Sequence, residues 1–69
     1  MKNNVKIARV QMDLTQQQLA EKVGVTRQTI SLIEKGQYNP TLKLCLSICD
    51  VVDKSLDELF WLDKEERTK

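Results

Sequence analysis

The chain has no histidine, two glycines, one proline, three aromatic side chains and two cysteines in 69 residues, and each shortage closes off a class of function. Without histidine, the commonest general base and metal ligand is missing, and no nucleophilic side chain stands beside another plausible base. Two glycines do not make a phosphate-binding loop. The acid pairs Asp57 with Glu58 and Glu65 with Glu66 read better as a helix start and a solvated tail, so an enzyme is not expected. No apolar run approaches the roughly 20 residues of a membrane span. The N-terminus also lacks the apolar core of a signal peptide, and the expectation is a cytoplasmic protein without membrane contact. Cys45 and Cys49 are four apart, which places both thiols on one helix face, but with no histidine and no second cysteine pair the usual zinc ligands cannot be assembled. A disulfide does not suit the cytosol. The pair is read as small apolar core residues, with redox sensing or metal binding as the alternative, and no cofactor is expected.

What is present is the composition of an ordinary soluble globule, 41% hydrophobic and 30% charged. Such a length allows one domain over residues 1–69, with a core small enough that pairing with a second copy would help it. The net charge of +1 hides an asymmetry: residues 1–43 hold seven Lys/Arg against three Asp/Glu, and residues 44–69 hold four against seven. A basic half joined to an acidic half suits a chain that meets a polyanion with one end only.

The most informative stretch is residues 15–36, TQQQLAEKVGVTRQTISLIEKG. Thr15 can cap a helix whose Leu19, Ala20 and Val23 share one buried face, with Ala20 small enough for a second helix to cross closely. Gly24 follows, where the chain must leave the helix in a left-handed conformation. Val25 plugs the space between two helices and Thr26 caps the second, RQTISLIEK, which ends at Gly36. In that helix Ile30 and Ile33 face the core while Arg27, Gln28, Ser31 and Lys35 lie opposite. Arginine forks onto the two acceptors of guanine and glutamine onto the acceptor and donor of adenine, so the start of this helix is suited to base edges. The stretch therefore reads as a helix-turn-helix.

Thr15 and Gln16, Leu19 and Ala20, Gly24 and Val25, the run from Thr26 to Ile30, Ile33 and Glu34, Gly36, and Asn39-Pro40-Thr41 together resemble the Cro/C1-type (XRE) helix-turn-helix family of phage repressors and small bacterial regulators. The resemblance covers about residues 4 to 60. It implies an all-α, four- to five-helix domain like that of lambda repressor, and it implies an ion pair between Arg9 of the first helix and Glu34 near the end of the second motif helix. It also implies a DNA-binding set. Gln16 would fix register through a phosphate, Arg27, Gln28 and Ser31 would read bases, Thr29 would touch a thymine methyl or a phosphate, and Gln17 and Thr26 complete the set. Leu32 would meet a thymine methyl or line an interface, Lys35 would meet phosphate, and Tyr38 with Asn39 would reach the backbone or a base.

Around the motif, residues 4–12 are expected as a helix with Val5, Ala8 and Met12 on one face. Pro40 forbids helix in the residue before it, and Thr41 caps a very apolar helix over residues 41–53. Its Leu42, Cys45, Leu46 and Cys49 are expected to pack on the motif, leaving Leu44, Ile48 and Val51 for the tail or a second subunit. Ser55 and Glu58 mark a capped helical turn. The tail Leu59-Phe60-Trp61-Leu62 could add an edge strand paired with the first residues, ahead of a charged, frayed end. A dimer interface is expected over about residues 44–62, from Leu44, Ile48, Val51, Phe60, Trp61 and Leu62.

The expectation is a transcriptional repressor binding double-stranded DNA as a homodimer on a near-palindromic operator. The alternative is an antitoxin-type interaction module whose DNA binding is autoregulatory, although the long arm that would wrap a toxin is missing. No small-molecule ligand domain is evident.

Overall fold

The computed structural model describes residues 2–61, so the expectations for Leu62 and for the charged end lie outside the described residues. The order is β1 (Lys2–Asn3), α1 (Val5–Gln11), α2 (Gln16–Val23), α3 (Arg27–Glu34), α4 (Leu42–Val52), α5 (Leu56–Leu59) and β2 (Phe60–Trp61). The strands pair antiparallel, Lys2 opposite Trp61 and Asn3 opposite Phe60, which ties the two ends of the fold together.

Hydroxyl side chains set the helix starts. Thr15, Thr26, Thr41 and Ser55 each accept from the backbone N–H three residues on, satisfying a donor that the first turn leaves without a partner. At α2 and α5 the cap is reciprocal, because Gln18 and Glu58 accept in return from the backbone of Thr15 and Ser55. Gly24 ends α2 at φ +77°, and the N–H of Val25 turns back to the Ala20 carbonyl at 3.0 Å.

Helix α4 runs through the middle of the core. Its Cys45, Ile48, Cys49 and Val52 meet Leu19 and Ala20 of α2, Ile30 and Ile33 of α3, and Val5 and Ala8 of α1 in one cluster that Leu59 and Phe60 close. This overturns the expected rotation of α4. Leu42 and Leu46 are 64% and 50% exposed, whereas Ile48 is fully buried. The buried side lies opposite the narrow polar stripe of Lys43, Ser47 and Asp50, and Leu46 stands beside that stripe. Packing chooses the side on which four small or branched residues recur at i, i+3, i+4 and i+7. Met12 departs as well: α1 stops at Gln11, Asp13 takes a left-handed φ of 58°, and the chain turns Met12 outward.

Candidate nucleic-acid interface

The outward side of α3 is a stripe of polar groups on a short, well-braced rod. Arg27 and Gln28 stand exposed on its first turn, Ser31 is half-buried one turn later, and Leu32 and Lys35 continue the exposed surface. Spacings of one, four and eight residues bring Arg27, Gln28, Ser31 and Lys35 to one side of the helix, opposite the buried Ile30 and Ile33. Neither the Arg27 nor the Gln28 side chain is engaged in a hydrogen bond among the described residues, so the side-chain donors of both are available to a ligand. Thr26 and Thr29 are engaged with each other, Oγ1 to Oγ1 at 3.0 Å, while Thr26 Oγ1 also accepts from the Thr29 N–H. Beyond the helix, Tyr38 and Asn39 are exposed on the loop that leads to α4.

The other end of α3 is held by a charged knot. Arg9 Nε donates to Glu34 Oε2 at 2.7 Å, Nη2 reaches Oε1 at 3.4 Å, and Nη1 donates to the Leu14 carbonyl at 2.7 Å. Gln16 Nε2 donates to Glu34 Oε1 at 2.9 Å, so α1 and α2 both grip the same carboxylate. The fork of Arg9 thus finds both the charge and the carbonyl that a buried guanidinium requires. Sequence reasoning placed Gln16 on phosphate and missed this bond, because nothing in residue spacing reports a contact 18 positions away. An amide nitrogen carries two hydrogens, and the second remains for another acceptor. Gln17 is exposed and donates to Glu21 within α2.

Among the described residues, no group of three or more histidine, cysteine, aspartate or glutamate side chains could hold a metal ion. Cys45 and Cys49 are free and buried, and burial pushes both thiols above their ordinary pKa, with the charge of Cys49 adding to the effect on Cys45. No helix among the described residues is long and apolar enough to cross a membrane. The residues expected at a dimer interface on α4 and the tail are placed differently from one another. Ile48 and Phe60 belong to the core, Leu44 and Val51 are half-buried against it, and Trp61 remains 40% exposed beside Leu42.

The profile of the Helix-turn-helix family matches residues 5–59, from the first residue of α1 to the last of α5. The chain belongs to that family, in its XRE branch. Among relatives, it is 48% identical to the Bacillus subtilis HTH-type transcriptional regulator YgzD over 65 residues, covering 94% of this chain and 98% of that one. It is 44% identical to the HTH-type transcriptional regulator MJ0272 of Methanocaldococcus jannaschii, covering 96% and 100% of the two chains. Among solved structures it is similar to the restriction-modification controller protein C.AhdI of Aeromonas hydrophila, with a TM-score of 0.75, 30% identity, and 83% and 86% of the two chains covered. This XRE-type helix-turn-helix protein is a DNA-binding transcriptional regulator.

Proposed function

We propose that the regulator is a repressor that binds a near-palindromic operator as a homodimer, each subunit laying α3 in a major groove. The observation that carries this reading is the exposure of Arg27 and Gln28 on the first turn of a helix whose opposite side, Ile30 and Ile33, is locked in the core. In this arrangement Arg27, Gln28 and Ser31 read base edges and Leu32 touches a thymine methyl. Gln16, Gln17, Lys35, Tyr38 and Asn39 hold the sugar-phosphate backbone, and the second amide hydrogen of Gln16 is the one offered. Thr26 and Thr29 keep the helix start in shape and flank the groove through their methyl groups.

For the second copy, the exposed apolar face formed by Leu42, Leu46 and Trp61 is the docking surface. A groove of about 320 Å³ floored by Pro40, Cys45, Leu56 and Phe60 runs beside Leu42 and Trp61, and side chains of a partner can fill it. A two-fold pair presents two reading helices to one side of the duplex, with half-site centres one helical turn, ~34 Å, apart. The rival interaction-module reading draws support from a separate apolar surface on α1, where Ile7 and Val10 are 60% and 55% exposed.

Selection of bound sequences from a random DNA pool tests the proposal. Enrichment of an inverted repeat at that spacing, bound by two copies, is the expected result. Enrichment of nothing, or of a lone half-site held by one copy, overturns it.

A further inference from the structure

We infer that Asn3, near the start of the chain and outside the helix-turn-helix unit, is a positioning residue for the reading helix: its side-chain amide holds the far end of α3 in place. This rests on the reading of α3 as the base-contacting helix. The last four carbonyls of a helix have no partner within it. At the end of α3 the Gln37 N–H takes the Leu32 carbonyl and the Gly36 N–H takes that of Ile33, each at 2.9 Å, the double bond of a helix closed by a left-handed glycine. The Ile33 carbonyl then accepts a second hydrogen bond, from Asn3 Nδ2 at 2.8 Å, across 30 residues of sequence.

Asn3 is itself fixed on two further sides. Its Oδ1 accepts from the Val5 N–H at 3.1 Å and so closes the start of α1, where Asn4 makes no side-chain cap. Its backbone lies opposite Phe60 in the β1–β2 ribbon, which the Asn4 N–H extends by donating to the Leu59 carbonyl at 2.9 Å. One side chain therefore joins the beginning of α1, the tail ribbon and the end of the reading helix. Thr26 secures the start of α3, Arg9 and Gln16 secure its last residue through Glu34, and Asn3 secures the carbonyl next to that residue. These fastenings set the tilt of the rod on its floor, and hence where Arg27 and Gln28 stand relative to a groove. Because Asn3 shares the ribbon with Phe60 and Trp61, displacement of the tail strand also loosens the reading helix.

Asn3→Ser separates this role from a merely structural one. A serine there still offers an oxygen to the Val5 N–H two residues on, but is too short to reach Ile33. The variant is compared with the parent on the duplex enriched from the random pool, at a temperature where both are fully folded. Affinity is expected to fall about three- to tenfold, the range of one lost hydrogen bond. The salt slope should be unchanged because no charge is altered. Amide exchange should quicken at Gly36 and Gln37 while Leu19 and Ala20 keep their protection. Asn3→Asp, which also keeps the acceptor and loses the donor, should repeat the exchange result, and its salt slope isolates the added charge. Parental affinity and parental exchange in folded Asn3→Ser overturn the inference, as does a loss of binding that merely follows the unfolded fraction. If the parent enriches no sequence, the DNA-reading proposal fails by itself, while the exchange measurement still decides whether Asn3 holds the helix.

Discussion

The Arg9 guanidinium and the Glu34 carboxylate meet at 2.7 Å with side chains only 11% and 5% exposed, so a residue of the first helix holds the end of α3. Removing one partner strands the other in a poor solvent. Arg9→Ala is expected to cost about 3–5 kcal/mol in urea unfolding, much of the total stability of a domain this small. The double variant Arg9→Met with Glu34→Leu should be more stable than either single alanine variant, since no unpaired charge is left. Trp61, the sole tryptophan, supplies the fluorescence signal. Equal costs that simply add in the double variant would mean the two charges act independently.

Gly24 allows backbone strain to be separated from crowding. It sits at φ +77°, and a methyl group built there would meet nothing within 4 Å. Gly24→Ala should therefore lower stability by about 1–2 kcal/mol, the cost of the left-handed conformation alone, and Gly24→Asn by less. Thermal melts of the two variants measure this, and a much larger loss would require a clash that the open space denies.

The reciprocal cap at α5 predicts an acid-side dependence. Glu58 accepts from the backbone N–H of Ser55, which holds its carboxyl below the ordinary value of 4.5, with the Ser55 side chain adding to the effect. A lowered folded value means that the bond stabilises fully above the ordinary carboxylate range and is lost as the pH falls through the folded value. Glu58→Gln keeps an acceptor without a titration, so its stability should change less than the parent's below about pH 4.5. Parallel pH profiles for the two proteins would contradict the assignment.

Cys45 and Cys49 should be slow to alkylate. Both thiols are buried and shifted upward, so at neutral pH the folded protein presents little thiolate, and labelling should wait on opening of the core. The same shift gives the opposite sign from Glu58: the contribution is intact below the ordinary thiol range and is lost as pH rises above it, where the unfolded chain ionises first. Iodoacetamide labelling with and without urea checks this. Labelling of the native protein as fast as of the unfolded one would revive the thiols as sensors.

Much of the motif was legible in the sequence because its signals are local. Thr15, Gly24 and Thr26 act within a few residues of themselves, and the pattern of Leu19, Ala20, Ile30 and Ile33 leaves one inward side for each helix. The pairing of the tail with the first residues was also within reach, because the consecutive apolar residues Leu59, Phe60, Trp61 and Leu62 cannot all be buried in so small a core. The rotation of α4 was within reach as well, since Lys43, Ser47 and Asp50 mark its outward side and Cys45, Ile48, Cys49 and Val52 lie opposite; turning Leu42 and Leu46 inward passes over that stripe, and Ile48 and Phe60 went to the core instead of the surface. The bonds that Gln16 and Asn3 make escaped notice for another reason. Their partners, Glu34 and the Ile33 carbonyl, are 18 and 30 residues away, and polar residues near a helix start look the same whether they face water or a distant acceptor.

If the exposed start of α3 reads base edges, Arg27→Ala is the variant that must show it. Binding to the selected duplex is titrated by fluorescence anisotropy at one fixed salt concentration, alongside duplexes carrying single base-pair changes and alongside Lys35→Ala. The account predicts that Arg27→Ala loses about 1–3 kcal/mol and relaxes preference at one base pair, whereas Lys35→Ala weakens binding to every sequence and makes the salt slope shallower. An Arg27→Ala protein that binds the selected duplex and its variants as the parent does would contradict it.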